Sequence, residues 1–136
     1  MPDTKAPPPR RALVVFGDRA DLAWLKILKR GFRHCFAVIE GGQGGGVPVW
    51  VIYNPLSHCT DITTVVGSTA SDLADHYRNL GFRVVETRIT RPIKRTAPWR
   101  PYTCVEAVKR VLGLRAPGVF TPRNLHNFLI SENKRK

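Results

Sequence analysis

The sequence holds only three cysteines and one methionine in 136 residues. Cys35, Cys59 and Cys104 are an odd set with no apolar leader ahead of them, which argues against a disulfide framework and for reduced thiols. No apolar run approaches the roughly 20 residues needed to span a bilayer. The first eleven residues, MPDTKAPPPRR, are basic and proline-rich and lack the apolar segment of a secretory signal. A cytoplasmic product with no membrane partner is therefore expected. Positive charge is also missing from one long stretch. Residues 34–77 carry no Lys or Arg against four acids, whereas residues 1–33 carry eight against three and residues 78–136 carry fourteen against three. The net charge of +12 thus belongs to the two ends of the chain, around an acidic middle. A hydrophobic share of 43% with 24% charged residues is that of a folded chain, and the length suits one domain. Residues 12–130 are read as that domain, between a basic tail at 1–11 and a second basic tail at 131–136.

The patterning mixes strands and helices without strict alternation. Residues 12–16 form a short apolar run ending at Gly17-Asp18, the mark of a strand and a turn. Leu22, Leu25 and Leu28 then repeat at helical spacing, predicting a helix over 21–30 that stops at Gly31. Residues 34–39 and 47–53 are β-branched and aromatic and flank a glycine-rich segment, which predicts a β-hairpin. Pro48 has no amide to donate and must sit at a strand start or a non-bonded position, which makes the second strand a candidate edge near the turn. Further strands are expected at 62–66 and 83–90, with a helix at 71–80 capped by Ser71 between them. Residues 91–101 form a stiff basic connector, and two helices close the chain, one over 102–114 and one starting at Thr121-Pro122. The fold class is α+β, a small antiparallel sheet packed against helices.

Cys104 is the residue with the most chemical promise. Thr103-Cys104-Val105-Glu106 fits a capping box, which makes Cys104 the first helical residue. There the helix dipole and unpaired amides stabilise a thiolate, and the same amides suit an oxyanion. A nucleophilic thiol needs a base, and His34, at the start of its strand, is the best placed of the four histidines. Folding the hairpin about Gly44 sets Asn54 opposite His34, where its amide oxygen can hold the imidazole tautomer. Cys104 as nucleophile, His34 as general base and Asn54 as orienter make a Cys–His–Asn set. The plainer readings are a buried filler for Cys104, an exposed strand end for His34 and a turn-former before Pro55 for Asn54. Gln43 and Tyr102 are candidates for a second oxyanion donor.

A helix-capping cysteine, a strand-initial histidine and a polar residue on the next strand resemble the papain-like superfamily of cysteine peptidases and amidases. The order His34, Asn54, Cys104 resembles its circularly permuted, NlpC-like branch, in which the Cys-bearing helix follows the strands. The resemblance spans about residues 33–114 and rests on those three positions. It implies a thiol hydrolase or acyltransferase that cleaves an amide, peptide or (thio)ester bond through an acyl-cysteine, acts on a peptide or other amide-containing substrate and needs no cofactor or metal. Cys35, beside His34, departs from that pattern.

Two other chemistries are weighed against it. The doublets His34-Cys35 and His58-Cys59 offer zinc-type ligands, but neighbours on a strand point to opposite faces, a poor arrangement for one metal. His76 and His126 read as solvent-facing helical residues. The stronger rival is a non-enzymatic nucleic-acid-binding or assembly protein. In residues 88–102, Arg88, Arg91, Lys94, Arg95 and Arg100 surround Trp99 and Tyr102, a pattern suited to phosphate contacts and base stacking. No nucleic-acid-binding signature accompanies it, and nothing in the sequence indicates an oligomeric state.

Overall fold

A computed structural model of the chain describes residues 10–18, 32–44, 47–56, 59–89, 103–114 and 116–135. Five strands, β1 (Arg11–Gly17), β2 (His34–Gly44), β3 (Val47–Pro55), β4 (Thr60–Val66) and β5 (Arg83–Arg88), form one sheet in the order β4-β3-β2-β1-β5. Every pairing is antiparallel. Three helices are described: α1 (Ala70–Asn79) between β4 and β5, then α2 (Cys104–Leu112) and α3 (Pro122–Arg135). The class is α+β, as expected. None of these helices is long and apolar enough to cross a membrane. The helix expected over 21–30 and the connector at 91–101 lie outside the described residues.

The apolar run of β1 is continuous because both of its faces are covered. Leu13 and Val15 join Phe36, Val38 and Trp50 beneath Ala70, Leu73 and Ala74 of α1. Ala12, Val14 and Phe16 join Cys35 and Ala37 on the other face, beneath Val105, Val108 and Leu112 of α2 and Leu125 and Leu129 of α3. Trp50 is 2% exposed, and its indole donates to the Ser68 carbonyl at 2.9 Å, so its only polar atom is satisfied. Gly17 ends β1 where the Phe82 ring fills the space a Cβ would need.

Several local expectations are corrected. The cap of α1 is Thr69, which exchanges hydrogen bonds with Asp72 in a full capping box, so the helix starts one residue before Ser71. β3 is an interior strand, and Pro48 is tolerated because it lies one residue from the strand start and offers its carbonyl to Gly67 at 2.9 Å. The helix begun at Pro122 continues through Arg135, so residues 131–135 extend α3 where a frayed tail was expected, and Asn133 Nδ2 donates to the Glu86 carbonyl at 2.8 Å. His126 turns inward, with its ring edge-on to Phe16 at 5.3 Å and near Phe32 at 5.0 Å. His76 is exposed, as expected.

The hairpin register differs too. The observed pairs include Ala37↔Tyr53 and Ile39↔Val51, with a bulge between Glu40 and Gly42. Continued past the last pair, this ladder sets Asn54 opposite Phe36, two residues from the expected partner. A two-residue slip preserves the face of the sheet, whereas a one-residue slip would reverse it. His34 and Asn54 therefore remain on one face as diagonal neighbours.

Candidate active site

The local cause of the Cys104 position is the start of α2. The Thr103 hydroxyl accepts from the Glu106 amide at 3.2 Å, so Thr103 is the N-cap and Cys104 the first helical residue. The Glu106 carboxylate accepts from Lys109 Nζ at 2.9 Å, and Nζ also donates to the Val119 carbonyl at 3.0 Å. Lys109 is only 5% exposed, so this pair fastens the first turn of α2 to the segment leading into α3. Gly113 closes the helix in the left-handed conformation, φ 71°, which a residue without Cβ adopts at little cost.

Opposite this helix start, β2 has run beyond its pairing with β3. The ladder ends at Ala37↔Tyr53, which leaves the Cys35 amide outside it. That amide donates to the Cys104 sulfur. The Cys104 side chain is also hydrogen-bonded to both His34 and Cys35. Adjacent strand residues point to opposite faces, so an atom that meets both side chains and the amide between them lies near the plane of the sheet, at the strand's end. His34 is buried, 6% exposed, and its Nε2 lies 2.7 Å from Asn54 Oδ1. An amide oxygen only accepts, so Nε2 carries a hydrogen and Nδ1 is the nitrogen left to exchange a proton with sulfur. Cys104, His34 and Asn54, the three residues expected to act together, are joined by hydrogen bonds in that order.

Side chains around the helix start shape its electrostatics. The Cys104 thiol is lowered from its ordinary value of 9.0 to about 5. The largest cause is the hydrogen bond with the Cys35 side chain; burial opposes it, and the hydrogen bond and charge attraction of His34, then the Cys35 amide, add to the lowering. Cys35 responds in the opposite sense. Full burial pushes its thiol well up, and the hydrogen bond and negative charge of Cys104 push it further. The pair thus divides into a thiolate at Cys104 and a thiol at Cys35 that donates to it. Neighbouring side chains thus contribute to the lowering, a source the helix start alone did not reveal.

Cys35 is the participant that sequence reasoning missed. Opposite-face alternation made it look unrelated to His34, yet its parity does place it beneath α2, with Ala37 and the apolar face of that helix. Gln43 is excluded as an oxyanion donor by its backbone position. It pairs with Pro48 at the turn end of the hairpin, nine residues along β2 from His34, which is roughly 30 Å at the rise of a strand. Tyr102 and His58 lie outside the described residues, as does all of the basic stretch at 88–102 apart from Arg88 and Ile89. Arg88 and Cys59 are both exposed. No protein-family model, curated protein or solved structure matches the chain.

Proposed function

We propose that this chain is a cysteine-dependent hydrolase or acyltransferase with a circularly permuted papain-like arrangement. The observation that carries the reading is the 2.7 Å bond from His34 to Asn54, on an imidazole that also hydrogen-bonds Cys104. A buried histidine with one nitrogen held by an amide oxygen and the other side given to a thiol is oriented for proton transfer.

The Cys104 thiolate attacks the carbonyl carbon of an amide, peptide or (thio)ester. The developing oxyanion meets the amides at the first turn of α2, which point out of the helix start. The His34 imidazolium gives its proton to the leaving nitrogen, oxygen or sulfur. An acyl thioester remains on Cys104. Water, activated by the now neutral His34, or another acceptor in the transferase case, displaces the acyl group and returns the thiolate. Asn54 keeps the ring in one tautomer and one orientation throughout. No step calls for a metal or cofactor.

The test uses p-nitrophenyl acetate as an activated ester. Release of nitrophenol should accompany an acetyl adduct on Cys104, detected by peptide mass mapping and removed by hydroxylamine. His34→Ala should slow acylation about 100-fold, and Asn54→Ala should slow it about tenfold, in line with general-base and orienting roles. Acetylation no faster at Cys104 than at the exposed Cys59, or unchanged by His34→Ala, would overturn the reading.

A further inference from the structure

The contact between Cys35 and Cys104 serves a chemistry that the hydrolytic cycle does not use. Cys104 is partly exposed at the helix start, whereas Cys35 is fully buried behind it. The two side chains are hydrogen-bonded to each other, although 69 positions separate them in the sequence. They sit on different elements, β2 and α2, that pack across one core. Cys104 packs against the buried cluster that holds Cys35, and a disulfide would close that sulfur contact to a bond of about 2.05 Å.

We propose that Cys104 and Cys35 form a peroxide-responsive switch, in which oxidation at Cys104 is captured by Cys35 as an intramolecular disulfide that silences the nucleophile. The thiolate of Cys104 attacks the outer oxygen of a hydroperoxide and breaks the O–O bond. Cys104 becomes a sulfenic acid, and the departing oxygen takes a proton and leaves as water or an alcohol. Cys35 then attacks the Cys104 sulfur and displaces hydroxide, which combines with the Cys35 proton as water. Two electrons pass from the two thiols to one peroxide, and a dithiol reductant reverses the exchange.

The asymmetry of exposure sets the order of events. Cys35 is out of reach of peroxide and acts only as the resolving thiol, and it lies close enough to intercept the sulfenic acid before a second peroxide arrives. Its capture protects Cys104 from the irreversible sulfinic and sulfonic states. The switch operates on the thiol itself, independent of what the thiol hydrolyses, so it stands or falls separately from the hydrolase reading.

The experiment is intact-mass analysis and peptide mapping of the full chain after equimolar hydrogen peroxide, in a Cys59→Ser background that removes the exposed third thiol. A mass loss of about 2 Da is expected, with a linked Cys35–Cys104 peptide, about tenfold less alkylation at Cys104, and recovery of both thiols with dithiothreitol. In excess peroxide, Cys35→Ala should abolish the linked peptide and leave Cys104 to gain about 32 or 48 Da as the higher acids, which take two or three peroxide molecules per thiol. Should burial make that variant unstable, the Cys59→Ser chain alone decides. Gain of oxygen at Cys104 without a linked peptide, or a disulfide only between two chains, would overturn the switch.

Discussion

Cys104 takes much of its character from two neighbours, Cys35 and His34, and that attribution is open to experiment. With the thiol lowered to about 5, the proton is lost as pH rises through that value, so alkylation of Cys104 by iodoacetamide should reach its plateau below pH 7. Because Cys35 is the largest source of the lowering, Cys35→Ala should move the Cys104 profile to higher pH, and His34→Ala should do so as well. A profile untouched by either substitution would return the effect to the helix dipole. The sequence made Cys104 and His34 legible because capping and strand initiation are written in adjacent residues. It hid the role of Cys35, because a meeting in the plane of the sheet depends on where the β2–β3 ladder stops.

The start of α2 is held by two separable devices. Thr103→Ala removes the hydroxyl that accepts the Glu106 amide and should cost about 1 kcal/mol, measured by urea unfolding. Lys109→Ala removes the ammonium donor from the largely buried Glu106 carboxylate and from the Val119 carbonyl, and should cost about 2 kcal/mol. Both should slow acylation of Cys104 by loosening the turn that carries it, with Lys109→Ala the greater. The strands and helices themselves were largely legible, since burial on one or both faces imprints a period on the sequence. The hairpin register was not, since the strands pair Gly44 with Val47, which a centre at Gly44 does not allow, and the bulge between Glu40 and Gly42 then changes the count by one. Parity survived that shift, which is why a wrong partner still led to the right pair of side chains. The end of α3 was missed because residues 131–135 are polar; what holds them is local, such as the contact of Asn133 with the Glu86 carbonyl.

Across the whole molecule the charge is uneven, and its consequences are separable from those of the site. A chain of net charge +12 should be retained on an immobilised polyanion at low salt and released toward about 1 M, where screening reaches about 3 Å. Retention that is equal for Cys104→Ala and the native chain would assign the charge to binding alone; a loss of retention would tie it to the fold around α2. Charge blocks were plain in the sequence, whereas their arrangement around the sheet was not, because much of the basic stretch joins β5 to α2.

The order of the site along the chain has a further consequence for its synthesis. His34 and Asn54 belong to β2 and β3, and Cys104 to a helix made after the whole sheet. A nascent chain can complete the receiving half of the site before the sulfur exists. Until α2 docks, Cys104 lacks both its hydrogen-bond donors and its base, and it has the slow chemistry of any exposed cysteine. Reactivity then arrives when α2 docks on the sheet, so the rate at which Cys104 takes up an electrophile serves as a clock for that step.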